Sequence, residues 1–161
     1  MKFLLLQESC STGEQINIGL EESSGDFVYV VWNNMKISSS VSLRLFENLE
    51  KEGSLCSVPI LRTPGNELVP SVVIPAFRKR NLKIIYAVPK RNGVISLFPF
   101  DYCGIYNREK FLYTGGYDYS IINQYWQKMD FGFRINMWGE KITCNTGMQV
   151  TYTTDFVTDD T

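Results

Sequence analysis

The chain has 161 residues, with 16 Lys and Arg against 17 Asp and Glu, a formal net charge of −1, and no histidine. That length suits one domain able to bury roughly 70% of its unfolded surface, and the charge balance lacks the basic excess that tracks a phosphate backbone, so no nucleic-acid partner is expected. Without histidine, Ser-His-Asp and Cys-His catalysis and His-ligated metal sites are excluded, which leaves carboxylate, Lys, Tyr and Cys side chains for chemistry.

Cys10, Cys56, Cys103 and Cys144 are widely spaced with no Cys-x-x-Cys pair, which predicts reduced thiols in a cytoplasmic protein rather than a zinc site or a disulfide framework. Residues 1–10, MKFLLLQESC, hold too short an apolar run for a secretory leader, and Gln7 and Glu8 spoil the cleavage site. No stretch is apolar for long enough to span a membrane.

In chain order, residues 3–6 suit a buried strand, and Ser11-Thr12-Gly13-Glu14 reads as a capping box opening a helix through Glu22. Gly25 and Asp26 punctuate. Residues 27–32, FVYVVW, are rich in β-branched and aromatic side chains, as in a strand covered on both faces. Strand, helix and strand together predict a βαβ unit in a parallel sheet, with Trp32, Asn33, Asn34 and Met35 at the carboxyl end where such sheets bind ligands. Residues 39–51 predict an amphipathic helix on Val41, Leu45, Phe46 and Leu49, stopped by Gly53. A strand follows at 55–61 and a turn at 63–66.

Residues 82–88 and 94–98 read as a hairpin turning at Asn92-Gly93. The nearby Lys79, Arg80, Lys83, Lys90 and Arg91 are either solvated turn charges or a contact for an anionic acceptor or membrane surface. Asp101 and Tyr102 fall at the lip of a strand, before a short helix capped by Asn107. A turn at Gly115-Gly116, with Asp118 after it, leads into a helix. One of its faces carries Ile122, Trp126, Met129, Phe133 and Met137 and a second carries Phe131, Ile135 and Trp138, the pattern of a buried helix. Asp130 and Arg134 are within reach of each other, and Lys128 lies toward the mouth of any cleft that the helix start faces. Residues 141–145 and 149–153 read as two short strands, and 155–161 as an acidic, frayed tail.

Two of these segments carry a family resemblance. Gly115, Gly116, Tyr117 and Asp118, followed by Asp130, Phe131, Arg134, Trp138, Gly139 and Ile142, are similar to the GG(Y/F)D turn and the D-L-x-x-R and W-x-G-x-x-I helix of family-two nucleotide-sugar glycosyltransferases of the GT-A type. Residues 13–28 resemble that family's N-x-G-L-x-x-A-x-G-D-(Y/F)-I segment, which leads into an Asp-x-Asp metal motif. Residues 69–77 are similar to the strand that opens such domains, but as a start they leave too few residues to reach the terminal helix.

The resemblance implies an α/β fold: a partial GT-A (Rossmann-like) three-layer domain over residues 1–154, with a mainly parallel central sheet and a β-hairpin insertion. It implies transfer of a sugar from a nucleotide-sugar donor to the hydroxyl of a glycan acceptor, which a peripheral membrane could carry. Asp101 or Asp130 would then serve as base, while Tyr102, Gly115, Gly116, Asp118, Trp126 and Lys128 bind substrate and Trp32, Asn33 and Asn34 lie near the phosphates. Asp101 as a simple cap or ion-pair partner is the other reading.

The departures from the family pattern matter. Its acidic dipeptide falls on Gln127 and Lys128, and its Asp-x-Asp tip on Asn33-Asn34. A divalent Mg or Mn at Asn34 is therefore expected to be held weakly or not at all, since each lost carboxylate forgoes an attraction of order 4 kcal/mol at about 4 Å. The family's first two nucleotide-binding strands have no counterpart, which implies direct pairing of 3–6 with 27–32, a second chain completing the sheet, or an exposed self-associating edge. These departures favour an alternative function, a non-catalytic carbohydrate- or partner-binding remnant. These readings expect the Asn pair and the Asp118 to Asp130 region to face one shared crevice, and Asn34 and Asp130 opening onto opposite sides of the molecule would end the sugar-transfer one.

Overall fold

A computed structural model describes residues 2–6, 9–38 and 42–154. Its helices are α1 (Thr12–Glu21), α2 (Leu43–Glu52), α3 (Arg108–Tyr113) and α4 (Gln124–Met137). Its strands are β1 (Phe27–Val30), β2 (Met35–Ile37), β3 (Cys56–Arg62), β4 (Val72–Arg78), β5 (Asn81–Ala87), β6 (Ile95–Ser96), β7 (Gly104–Asn107) and β8 (Ile142–Tyr152).

Local signals set most helix ends. Ser11 Oγ accepts from the Glu14 amide at 3.2 Å and opens α1, the left-handed Gly53 (φ 61°) closes α2, and Asn107 Oδ1 accepts from the Lys110 amide at 3.0 Å to start α3. Val41, expected on the α2 face, lies outside the described residues, as does the 155–161 tail.

The main sheet runs β1-β7-β3-β8-β2, with β6 also on β8. Parallel pairing is confined to its centre, where β3 and β8 share the longest register; β1–β7, β3–β7, β2–β8 and β6–β8 are antiparallel. The α/β class is as expected, but the predominance of parallel pairing holds only at that central pair. The two short strands expected at 141–153 are one strand. Asn145 pairs with Pro59 and Gln149 with Ile60, so the polar interruption between them is a bulge rather than a break.

Alternation along β7 builds the layers. Tyr106 packs into the core with α1, α3 and α4, where Ile16, Leu20, Phe111, Phe131 and Ile135 meet Leu55, Cys56 and Val58 of the β3 region. Its neighbour Ile105 joins Leu49, Leu45 and Phe46 of α2 on the opposite face. The three-layer arrangement follows from that alternation. Among the described residues the four cysteines are free, and burial raises the thiol pKa values of Cys56, Cys103 and Cys144, which leaves those three unreactive.

Three sequence expectations are corrected. Residues 3–6 form no strand, and Phe3 and Leu5 are exposed. β1 therefore has no partner there, it pairs antiparallel with β7, and no βαβ unit forms. The hairpin insertion exists, but β5 pairs with β4 rather than with residues 94–98, and the chain turns at Lys79 and Arg80. The Asn92-Gly93 turn instead ties a loop to the β8 bulge, with Asn92 Oδ1 accepting from the amide and hydroxyl of Thr146. Finally, α4 is half-buried. It buries Gln127, Met129, Phe131, Gly132 and Ile135, whereas Ile122, Trp126 and Met137 of the expected apolar face are 83%, 60% and 87% exposed.

Candidate functional site

Six of the sequence-predicted residues divide between two concavities. A groove of 330 Å³ is lined by Trp32, Asn33, Asn34 and Asp101, together with Thr12 at the start of α1 and Gln124 at the start of α4. A second, of 470 Å³, is lined by Asp118, Gly115 and Arg134, with Glu14, Asn17, Glu21 and Tyr119 among its walls. Asn34 opens on the first and Asp130 lines neither, so these two concavities do not bring Asn34 and Asp130 together. Thr12, Gln124 and Asn17 carried no sequence signal as wall residues, because they are adjacent only through the packing of α1 against α4 and the Gly-Gly turn.

The first groove is built around a strained corner. Asp101 (φ 50°) and Tyr102 (φ 56°) are consecutive left-handed residues, a conformation costing of order 1–3 kcal/mol for a residue with a side chain. The surroundings hold both in place. Trp32 Nε1 donates to the Asp101 carbonyl at 2.7 Å, and the buried Tyr106 hydroxyl donates to the Tyr102 carbonyl at 2.8 Å. The Asp101 side chain accepts from the Tyr152 hydroxyl at 2.9 Å. Burial raises the Asp101 pKa, against the opposing pull of Tyr152 and of the Lys128 charge.

Tyr102 is fully buried, so its ring is packed rather than presented for stacking on a sugar. Its hydroxyl donates to Gln127 Oε1 at 2.9 Å, and Lys128 Nζ lies 5.3 Å from its ring centre and 5.6 Å from that of Phe98. Trp126 lines neither concavity and meets Tyr125 edge-to-face.

Gln127, at a position where the resemblance puts a carboxylate, is a structural hub. Its Oε1 also accepts from the Gly13 amide at 3.0 Å. Its Nε2 donates to Ser11 Oγ at 3.1 Å and to the carbonyls of Asp118 and Ile121 at 2.9 and 3.0 Å. A carboxylate could not make the last two bonds. The side chain is wholly buried, and a Cβ on Gly13 would strike it.

The second concavity is also tied to structure. Arg134 donates to the carbonyls of Thr114 and Gly116, both at 2.7 Å, and pairs with Asp130 at 2.9 Å. The Asp130 carboxylate is thus committed to the Gly-Gly turn through Arg134. Gly116 is buried and left-handed (φ 62°), and the Asn17 amide side chain brackets Tyr117 with bonds of 2.7 and 2.9 Å to its carbonyl and amide. Asp118 is exposed. It accepts from the Ser120 hydroxyl and amide, which lower its pKa.

This architecture has counterparts among solved structures. GalNAc-T7, in a crystal structure with UDP, GalNAc and Mn2+, superposes with a TM-score of 0.71 at 16% identity over 91% of this chain and 31% of that one. S. aureus TarS superposes with a TM-score of 0.62 at 14% identity over 92% of this chain and 25% of that one. The shared fold is a partial GT-A glycosyltransferase fold. The chain therefore spans less than a third of either neighbour. No protein-family model and no curated protein sequence matches it.

The Mn2+ in GalNAc-T7 invites a test of the donor set here. Among the described residues no three His, Cys, Asp or Glu side chains converge. The first groove offers one carboxylate, already accepting from Tyr152, and two side-chain amides, while the main-chain carbonyl of Asn34 accepts from the amide and hydroxyl of Thr153. Mg2+ and Mn2+ favour several hard anionic oxygens, and these residues do not fit such an ion. Among the described residues no helix is long and apolar enough to cross a membrane.

Proposed function

We propose that the chain is a glycosyltransferase-like domain whose sugar chemistry takes place in the Asn33, Asn34 and Asp101 groove. The observation that carries this reading is Asp101, a half-buried carboxylate with a raised pKa opening on the same groove as the Asn pair, on a backbone with the GT-A fold. In the reaction Asp101 takes the proton of an acceptor hydroxyl as that oxygen bonds to the anomeric carbon and the nucleoside diphosphate leaves with the bonding pair. Tyr152 holds the receiving carboxylate in place, and Lys128 favours its ionised form. Asn33 and Asn34 supply amide donors to the phosphate oxygens, with no step routed through a metal.

Gln127 supports a second reading, a non-catalytic domain that binds carbohydrate or a partner chain, because a position that would carry the acidic dipeptide holds the fold together instead. Calorimetric titration with a panel of nucleotide sugars, with and without Mn2+, tests the first reading, and heat with none of them removes it. Turnover abolished in Asp101→Asn, by about 10²–10⁴-fold, supports the enzyme. Glycan binding without turnover in the wild-type chain supports the second reading.

A further inference from the structure

The strongest feature outside the grooves is the β4–β5 hairpin. Between Glu67 and Asp101 the chain carries Arg78, Lys79, Arg80, Lys83, Lys90 and Arg91 and not one carboxylate, leaving 10 basic and 17 acidic residues for the remainder. Four of these cations sit at the hairpin's outer end, all exposed, and none joins an ion pair among the described residues.

The same end is apolar. The hairpin base is anchored, with Val72 and Val73 buried and Val73 exchanging bonds with Ser96 Oγ and the Leu97 amide at 3.0 and 2.7 Å. Farther out, the cross-strand pair Phe77 and Leu82 on one face, and Ile74 and Ile85 on the other, are 78%, 40%, 38% and 50% exposed. The ribbon therefore leaves its core with hydrophobic side chains on both faces.

The turn itself breaks a local rule. Lys79 (φ 49°) and Arg80 (φ 68°) are both left-handed, as in the tight hairpin turn that strongly favours Asn-Gly. Two long cations occupy positions where the backbone favours small residues, and such conflicts between local preference and fold concentrate at functional or strained sites.

We propose that this hairpin seats the protein on an anionic lipid bilayer, with Phe77 and Leu82 entering the interfacial layer and Arg78, Lys79, Arg80 and Lys83 meeting the headgroups. Charge complementarity selects an anionic partner, and the apolar side chains select its kind. A fluid interface closes around both faces of a narrow ribbon, whereas a folded protein covers one. Single-stranded nucleic acid calls for successive aromatic platforms, and the outer ribbon has one aromatic, Phe77. The inference is independent of the sugar-transfer reading.

The test is co-sedimentation of the full chain with phosphatidylcholine vesicles and with vesicles of phosphatidylcholine and phosphatidylglycerol in equal parts. Binding is expected to the anionic vesicles, to weaken as salt is raised, and to be far weaker to phosphatidylcholine alone. Lys79→Asn combined with Arg80→Gly installs the preferred turn pair, so it folds, and it is expected to bind about 30-fold more weakly, the effect of two cations at an anionic surface. Phe77→Ser with Leu82→Ser is expected to lose roughly 100-fold while keeping the salt dependence. No sedimentation, equal binding to both vesicles, or unchanged binding by the turn variant overturns the proposal. So does single-stranded DNA that binds more tightly than the anionic vesicles and competes with them.

Discussion

Replacing Gln127 by Glu is the most informative single change in the core. The side chains are nearly the same size, so no cavity forms, and the substitution restores an acidic residue where the family resemblance places one. It exchanges an amide that donates to the Asp118 and Ile121 carbonyls for an oxygen that can only repel them. Leaving two part-buried acceptors without their donor costs up to roughly 1–3 kcal/mol each, and a buried ionised carboxylate adds to that until it takes up a proton. The expected loss is roughly 3–6 kcal/mol, a large share of the roughly 5–15 kcal/mol that holds a domain together. Urea unfolding at neutral and acid pH measures it. Burial raises the new carboxyl's pKa in the folded state, so the deficit is full above that pKa and shrinks as pH falls through it. A variant within about 1 kcal/mol of wild type at neutral pH would refute the hub.

Three further outcomes follow from the same geometry. Gly116→Ala forces a side chain into a left-handed position against Phe111 Cε1, 2.9 Å from the new carbon, and a loss of more than about 2 kcal/mol is expected by thermal unfolding. Arg134→Met removes the donors to Thr114 and Gly116 while keeping much of the side chain's volume; a loss of about 2–4 kcal/mol, with hydrogen exchange accelerated at residues 114–118, is expected. For Asp101, burial raises the folded-state pKa above 3.8, so the folded chain holds its proton more tightly and wild-type stability falls as pH rises through the raised value. Asp101→Asn, which still accepts from Tyr152, is expected to match wild type below that window and exceed it above, by denaturation across pH.

What could be read from the sequence was what neighbouring residues decide. Ser11, Asn107 and Gly53 announced their helix ends because capping is a bond or a backbone angle within one turn. The β3 run announced itself because it is buried on both faces. The pairing of β5 was hidden. Asn92-Gly93 offered a better turn sequence than Lys79-Arg80, but the seven-residue register with β4 holds an unfavourable turn in place, and Asn92 serves the β8 bulge instead. The α4 periodicity located a helix but not which face was covered, since exposed Trp126 and Met137 repeat as regularly as buried Met129. The two concavities were partly legible. Asn33, Asn34 and Asp101 share one and Asp118 lines the other, while the roles of Gln127, Asn17 and Tyr152 depend on contacts between residues far apart in the chain.

The paired left-handed residues at the groove also shape which substitutions the site can accept. Asparagine and glycine tolerate that backbone best, aspartate nearly as well, and alanine or glutamate poorly. An aspartate or asparagine at position 101 among natural variants would therefore be selected by the corner itself, with or without any proton to transfer. An alanine scan there reports conformational strain mixed with chemistry, whereas the asparagine variant alters charge alone.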